Sequence, residues 1–164
     1  PMQKILVAAF SNGDQQGVLD VILPIQQHEF GIPITEADQP DLTNIPGFYH
    51  SGTGGFWVAR SNDEVVGTVG LKDIGLRQAA LRKMFVAAPF RGREFGVAGK
   101  LLDALLAHAR AKGVAEIFLG TTEKFLAAHR FYEKKGFVEL RKAELPEAFP
   151  IMAVDSKFYV LKVS

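Results

Sequence analysis

The chain of 164 residues contains no cysteine. That absence excludes a disulfide framework, a thiolate metal site and a cysteine nucleophile. The sequence also lacks any run of about 18 apolar residues, which a transmembrane helix requires. Residues 1–7 have no long apolar core of the kind that a secretory signal peptide carries. From these absences we expect a cytoplasmic protein that is not inserted in a membrane.

Neither sign of charge is in excess. The chain has 19 Lys and Arg residues against 18 Asp and Glu residues, a net charge of +1. A protein held by phosphate contacts usually carries a clear basic excess, so we expect no nucleic-acid partner. The four histidines show no H-x-x-x-H spacing, so no metal site is predicted. Hydrophobic residues make up 48% of the chain, and its length fits one domain over residues 1–164.

Hydrophobic periodicity in the first half of the chain predicts one long helix and several strands. The apolar run at 5–10 predicts a strand, and the apolar spacing after Asp14 predicts a helix that Pro24 kinks or divides. Residues 31–55 are rich in proline, glycine and aspartate, which predicts loops with one short helix around 38–42. Further strands are predicted at 56–60, 65–71 and 79–86, the first two joined by a hairpin turn at 61–64.

The second half of the chain alternates helices and strands. Residues 97–112 predict a helix, and its buried side consists of Val97, Leu101, Leu102, Leu105, Leu106 and Ala109. Gly113 ends this helix, and Gly136 ends a second helix predicted at 123–135. Strands are predicted at 117–121, 137–140 and 157–163, with a loop at 143–150. This order of elements indicates a mixed α/β sheet with helices on its faces.

The loop at 91–98 lies between a predicted strand and the start of a helix. The first N–H groups of a helix lack internal partners and the helix dipole is positive there, so a phosphate can bind. Gly92 and Gly96 would let the backbone approach an anion closely, and Arg91 and Arg93 add positive charge. The alternative is a loop whose glycines only turn the chain and whose arginines are only solvated. A P-loop is excluded, because the Gly-Lys pair that follows is not succeeded by serine or threonine.

Two segments resemble the motifs of a known family. Residues Arg93-Glu94-Phe95-Gly96-Val97-Ala98 fit the pattern Q/R-x-x-G-x-G/A, and residues 81–92 before them look like a strand, a V-x-P turn and Arg-Gly. The second segment, Phe131-Tyr132-Glu133-Lys134-Lys135-Gly136-Phe137, matches an aromatic-Tyr pair that ends a helix before Gly-Phe. In this order and spacing they resemble the GNAT family of acetyl-CoA-dependent N-acetyltransferases, closely over 56–140 and in outline over 3–30. The resemblance implies a central, mostly antiparallel sheet of about six or seven strands with helices on both faces.

The chain departs from the family pattern at two places. Arg91-Gly92 lies slightly farther upstream than usual, so the resemblance leaves open whether Arg91 or Arg93 faces the cofactor pyrophosphate. Family members also often carry asparagine seven residues before the tyrosine, where this chain has Phe125. A polar contact to the cofactor is therefore lost or moved.

The resemblance implies acetyl-CoA as the acyl donor and assigns residues to it. Backbone N–H groups of the loop would hold the pyrophosphate, and the loop consists of Arg91, Gly92, Arg93, Glu94, Phe95, Gly96, Val97 and Ala98. The strand end at Phe85 and Val86 would pair with the pantetheine arm, and an N–H near Phe85 would polarise the thioester carbonyl. The charged run at 133–135 is typical of a solvated helix face; the alternative is that Lys134 or Lys135 meets a cofactor phosphate, and Lys135 is our candidate.

Tyr132 is the predicted catalytic residue. A phenol with a pKa of about 10 stays protonated at neutral pH, so it can act as a general acid toward a leaving thiolate of pKa about 8.5. The alternative is a core aromatic residue that packs beside Phe131 and Phe137.

The resemblance implies an acceptor that is an amine of a small molecule or peptide. Variable loops 31–55 and 143–155 would border its pocket, and Glu36, Asp38, Asp41 and Asp155 would make that pocket acidic. The predicted substrate-binding residues are Glu29, Phe30 and Tyr49.

Several alternatives stay open. Residues 78–81 offer no carboxylate as general base, and the remaining candidates are His28, Glu29, Glu36 and Glu123. A non-catalytic module that binds acetyl-CoA as a sensor or scaffold is one rival, and a transferase for a longer acyl group is another. Antiparallel pairing of sheet edges would allow a homodimer.

Overall fold

The computed structural model describes residues 4–93 and 95–163. The strands within these ranges are β1 (Ile5–Ala9), β2 (Gly55–Ser61), β3 (Glu64–Gly75), β4 (Gln78–Val86), β5 (Glu116–Thr121), β6 (Val138–Leu140) and β7 (Lys157–Lys162). They form one seven-stranded sheet in the order β1-β2-β3-β4-β5-β7-β6. Neighbouring strands are antiparallel except for β4 and β5, which are parallel. The predicted mixed, mostly antiparallel sheet is therefore confirmed.

The helices pack on both faces of this sheet. Those in the described ranges are α1 (Gln15–Pro24), α2 (Pro40–Thr43), α3 (Ile45–Tyr49), α4 (Val97–Ala111) and α5 (Leu126–Lys134). Short 3-10 turns lie at Asn12–Asp14, Ala88–Phe90 and Lys142–Glu144. Across the part of the chain that the structure describes, no helix has the length and apolar character needed to cross a membrane.

Pro24 divides the first helix, as predicted. The α-helical hydrogen bonding of α1 ends there, because proline has no N–H to donate. The chain continues as a π-helical turn at Ile25–Glu29, in which the Phe30 N–H donates to the Ile25 carbonyl at 3.0 Å. This wider turn carries the chain to the rim of the site described below.

The prediction of a single short helix between residues 31 and 55 is wrong, because α2 and α3 both lie there. Helix α3 has Pro46 in its first turn, and the Asn44 side chain caps it by accepting the Gly47 N–H at 3.1 Å. Asparagine, proline and glycine are also the residues of loops, so composition alone did not distinguish the two.

The two faces of the sheet belong to different apolar clusters. On β2, Trp57 and Ala59 pack with α4, whereas Phe56 and Val58 pack with α1, α2 and α3. This alternation arises because successive side chains of a strand point to opposite faces. Every residue predicted for the buried side of α4 is buried. Both faces of the sheet are thus covered, and its centre is a rigid platform.

The parallel pair at the centre of the sheet separates part-way along its length. Ala80 of β4 is paired with Phe118 of β5, and the pairing ends there. Strand β4 continues to Val86 and β5 to Thr121 without contacting each other as a ladder. The divergence opens a wedge in the middle of the sheet, which we call the β4–β5 wedge.

Candidate active site

The β4–β5 wedge contains a cavity of about 280 Å³. Its walls are residues 81–85 of β4, residues 119–122 around the end of β5, Tyr132 of α5, and the segment 149–155 that precedes β7. Most of the lining is apolar. The unpaired edge of β4 is open to an extended ligand, which can add to a strand edge through main-chain hydrogen bonds.

A β-bulge in β4 directs two consecutive cations into this cavity. Thr68 of β3 is paired with Phe85 and Gly70 with Arg82, so Lys83 and the residue after it share one position of the ladder. Lys83 has a φ of 56°, in the left-handed region, and its carbonyl accepts the Thr68 hydroxyl at 2.8 Å. Consecutive strand residues normally face opposite sides, but Arg82 and Lys83 both line the cavity. A left-handed non-glycine residue costs on the order of 1–3 kcal/mol, and such strain clusters at functional sites.

The loop that follows β4 ends in an open helix N-terminus. Gly96, with a φ of 59°, precedes α4, and the first helical hydrogen bond runs from the Lys100 N–H to the Gly96 carbonyl at 3.0 Å. The N–H groups of Val97 and Gly99 have no partner among the described residues. Glu94 lies outside the described residues, so its predicted contact stays a prediction. The remaining geometry is that of an anion site at a helix N-terminus.

Two cations flank this helix start. A Cβ placed on Gly99 would lie 3.7 Å from Lys135 Nζ, which brings the Lys135 ammonium against the first turn of α4. Arg93 is exposed and makes no ion pair with any described residue. Both side chains are therefore available to a phosphate.

Arg91 is engaged elsewhere. Its guanidinium binds both oxygens of Glu29, at 2.7 and 2.9 Å, and its Nε donates to the Val86 carbonyl at 2.8 Å. Hydrogen bonding from Arg91 lowers the pKa of Glu29 below its ordinary value. The pair links the π-helical turn to the end of β4. Of the two arginines that the sequence left open, Arg93 is the one with no ion pair to any residue that the structure describes.

Tyr132 lines the cavity and is almost entirely buried. Its ring packs edge-on against Phe131 and Phe137, with centroids 5.6 and 5.5 Å away. Burial raises its pKa well above the ordinary value, so the phenol stays protonated at every neutral or mildly alkaline pH. Its hydroxyl makes no hydrogen bond to a described residue. A buried, unpartnered phenol in a cavity can donate its proton to a ligand.

The predicted substrate-binding residues occupy different places. Phe30 lines the cavity and packs on Phe125, with ring centroids 3.8 Å apart. Glu29 is paired with Arg91 outside the cavity lining. Tyr49 is fully buried behind the wall, and its hydroxyl donates to Asp41 Oδ2 at 2.6 Å. The structure therefore places Tyr49 as a support for the wall and not on its surface.

A group of charged residues at the cavity was not identified as a unit from the sequence. Arg82 and Lys83 lie 3.7 and 3.8 Å from Asp41 Oδ2, behind the wall. Asp155 lines the cavity, and burial raises the pKa of its carboxyl group. Burial disfavours the charged form of Lys83 as well, which lowers the pKa of its ammonium group to about 8. Two cations and one carboxylate thus face the interior of the wedge.

None of the base candidates from the sequence lines the cavity. Those four are His28, Glu29, Glu36 and Glu123. Asp38 also lies outside the cavity lining, and its carboxylate accepts the Thr35 N–H and hydroxyl in a local turn. Over the described ranges, no three His, Asp or Glu side chains are grouped to hold a metal ion. That the reaction needs no metal stays a prediction.

Comparisons with known proteins agree on the family. The model of the acetyltransferase (GNAT) family matches residues 19–137. A solved GNAT acetyltransferase from Staphylococcus aureus Mu50 is 36% identical, with a TM-score of 0.93 over 98% of this chain and all of the other. A more distant fold neighbour, PaiA N-acetyltransferase of Thermoplasma acidophilum in complex with coenzyme A, is 15% identical with a TM-score of 0.74, over 98% of this chain and 99% of that one.

The chain also resembles parts of longer proteins. Human N-acetyltransferase 8B is 36% identical over 101 residues, which are 59% of this chain and 44% of that protein. The N-acetylaspartate synthetase of Danio rerio is 34% identical over 106 residues, which are 63% of this chain and 37% of that protein. The match thus spans less than half the length of these relatives. Because the family model covers most of the chain and the fold agrees throughout, this protein belongs to the GNAT acetyltransferase family.

Proposed function

We propose that this protein transfers an acetyl group from acetyl-CoA to the amino group of a small molecule or peptide. The observation that carries the proposal is the β4–β5 wedge, where the unpaired edge of β4 and the phenol of Tyr132, which has no hydrogen-bond partner among the described residues, line one cavity. The loop that continues β4 leads to the open N-terminus of α4. Family membership supports the same reaction.

The loop after β4 would hold the pyrophosphate of the donor. The N–H groups of Val97 and Gly99, which have no partner among the described residues, supply hydrogen bonds at the positive end of the α4 dipole. Arg93 and Lys135 add charge on either side. Glycine at 92 and 96 keeps the backbone close to the anion, and both have positive φ.

The unpaired edge of β4 would bind the pantetheine arm. The backbone of Phe85 and Val86 pairs with β3 on one side and is free on the side that faces β5. An N–H of this edge near Phe85 would donate to the thioester oxygen as negative charge develops there. Such a donor is fixed by the strand and needs no reorganisation during the reaction.

Tyr132 would protonate the leaving group. The neutral amine forms a C–N bond to the acetyl carbon and gives up a proton to the Asp155 carboxylate. The C–S bond breaks, the thiolate takes the phenolic proton, and proton exchange with solvent restores Tyr132 and Asp155. Burial makes Tyr132 a weaker acid, but the same apolar cavity also disfavours the thiolate charge. Asp155 replaces the earlier base candidates, because it is the carboxylate found in the described lining of the cavity.

A relative named for N-acetylaspartate synthesis supports amino acids as one class of acceptor. The rival function is a module that binds acetyl-CoA without transferring the acetyl group. Turnover distinguishes the two.

The test is CoA release in the presence of acetyl-CoA and a panel of amines, followed with a thiol reagent. The protein contributes no thiol background, because it has no cysteine. We expect amine-dependent release, and a fall of about 10²- to 10⁴-fold in kcat for Tyr132→Phe. Tyr159→Phe is the matched control, since it removes the hydroxyl of another buried tyrosine. That hydroxyl donates to Glu133, and Tyr159 does not line the cavity.

Three outcomes are distinct. Release that falls only in the Tyr132 variant supports both the reaction and the acid. Acetyl-CoA binding without release from any amine favours the binding module. Absence of acetyl-CoA binding contradicts the assignment of the wedge.

A further inference from the structure

The guanidinium of Arg82 lies in the cavity wall with most of its donors unused. Its side chain is 11% exposed. Its Nε donates to the Tyr49 hydroxyl at 3.3 Å, and its Nη1 meets only the Met152 sulfur, at 3.8 Å. A thioether is a weak acceptor, and neither Nη atom has an oxygen within hydrogen-bond distance among the described residues. The paired Nη donors are therefore available to a ligand.

The nearest carboxylate does not satisfy these cations. Asp41 Oδ2 accepts the Tyr49 hydroxyl at 2.6 Å, whereas Arg82 Nη2 and Lys83 Nζ lie 3.7 and 3.8 Å from the same oxygen. Both distances are too long for hydrogen bonds. Lys83 donates instead to a neutral acceptor, Gln39 Oε1, at 2.7 Å. Two buried cations thus share one carboxylate that is already bound.

Asp155 supplies negative charge on the β5 side of the cavity. A Cβ placed on Gly120 would lie 2.6 Å from Asp155 Oδ2, so this carboxylate lies directly over β5. The same oxygen accepts the Met152 N–H at 2.9 Å, and neither Arg82 nor Lys83 is within ion-pair distance of the carboxylate. Burial raises the pKa of this carboxyl group above its ordinary value. The cations on β4 and the Asp155 carboxylate over β5 therefore line the same cavity without forming an ion pair with each other.

We propose that the acceptor is an amino acid whose carboxylate binds Arg82 and Lys83 and whose amino group lies beside Asp155. This inference rests on the proposed acetyl transfer and names the substrate class of the same site. A zwitterion places each of its charges against a buried group of opposite sign, which offsets the desolvation of both.

The rest of the lining is mostly apolar, with Gln26, Thr121, Thr122 and Tyr132 as its polar side chains, and it favours an apolar side chain on that amino acid. Phe30, Ile32, Ile34 and Phe149 line the cavity, and none of them offers a polar side-chain atom. Leucine, methionine and phenylalanine are therefore the probes of choice.

The experiment measures binding to the complex of the protein with CoA, which cannot turn over. Calorimetric titrations compare each of the three amino acids with its own carboxamide, a pair that differs at the carboxylate. We expect at least one amino acid to bind about ten- to a hundredfold more tightly than its amide. Arg82→Gln abolishes that preference, and Arg82→Lys retains part of it. Lys112→Gln, at the exposed end of α4, is the control for loss of one positive charge.

The affinity for CoA and the thermal midpoint of each variant show whether its fold is intact. Lys83→Met removes the second cation independently, and we expect it to reduce the same carboxylate preference. Equal affinity for acid and amide in all three pairs, or no binding of any acid, overturns the inference. Turnover of amines without carboxylate preference leaves acetyl transfer standing and removes the amino-acid assignment. A carboxylate preference without turnover of any amine supports the amino-acid site and contradicts acetyl transfer.

Discussion

At the scale of the residue, the bulge at Lys83 decides the chemistry of the cavity. Without the extra residue, Arg82 and Lys83 would point to opposite faces of β4. The left-handed backbone at Lys83 turns both side chains toward the wedge. Behind the wall, Tyr49 accepts a hydrogen bond from Arg82 and Gln39 accepts one from Lys83. The strain of one residue thus produces a charged site inside an apolar cleft.

The buried ammonium of Lys83 makes stability depend on pH. Burial lowers its pKa to about 8 from the ordinary value of 10.5. Between these two values the unfolded chain binds more protons than the folded chain, so the free energy of unfolding rises with pH and falls as pH is lowered toward 8. Relative to Lys83→Met, the wild type should gain on the order of 2 kcal/mol between about pH 7 and pH 9.5.

Urea denaturation of both proteins at the two pH values checks this expectation. The pH-independent loss of the Gln39 hydrogen bond cancels in the comparison. If the two stability profiles run parallel, the Lys83 ammonium is not held in a desolvated place.

At the scale of the element, the start of α4 is built for an anion. Gly96 adopts a left-handed conformation immediately before the helix, and Gly99 lies within its first turn. The loop is braced on its other side by the Arg91–Glu29 pair, which also holds the end of β4. An exposed ion pair of this kind adds little stability, so its effect is to orient the loop.

Two glycine substitutions separate backbone strain from helix propensity in this element. A Cβ at Gly96 would meet nothing within 4 Å, but its φ of +59° strains any other residue. Gly96→Ala should therefore lower the free energy of unfolding by about 1–2 kcal/mol. Gly99 has a helical backbone, and a Cβ there would make one ordinary van der Waals contact, 3.7 Å from Lys135 Nζ. Gly99→Ala should therefore raise the free energy of unfolding by about 0.5–1 kcal/mol.

Chemical denaturation of the two variants measures both effects. Equal shifts, or a stabilised Gly96 variant, would show that the helix begins differently from the arrangement described above.

At the scale of the whole molecule, the sequence predicts the sheet and its helices well. The period of the apolar residues in α4 and the turn residues at 61–64 act locally, so they are readable along the chain. Asn62 and Asp63 do adopt the positive φ values, 49° and 70°, that a tight hairpin turn needs. The open N-terminus of α4 follows from the same local pattern.

The sequence places Asp41 and Asp155 in loops that border the acceptor pocket. The cations Arg82 and Lys83 and their grouping with these acids could not be predicted, because the grouping depends on contacts between distant segments. Asp41, Arg82 and Asp155 come from a short helix, a bulged strand and a loop, and only the folded sheet brings them together. The bulge itself is a property of the register between β3 and β4. The sequence of β4 reads as an ordinary strand with two charged residues. Helix α3 was not predicted for a related reason. It is too short to show an apolar period, and it depends on the Asn44 cap and on packing against the sheet.

The most direct test of the central claim is amide hydrogen exchange with and without acetyl-CoA. If the donor binds in the β4–β5 wedge, peptides covering residues 82–86 and 95–100 become protected. The sheet edges, β1 and β6, keep their exchange rates, and they serve as internal controls. Protection confined to other segments, or no protection at saturating acetyl-CoA, would contradict the proposed site.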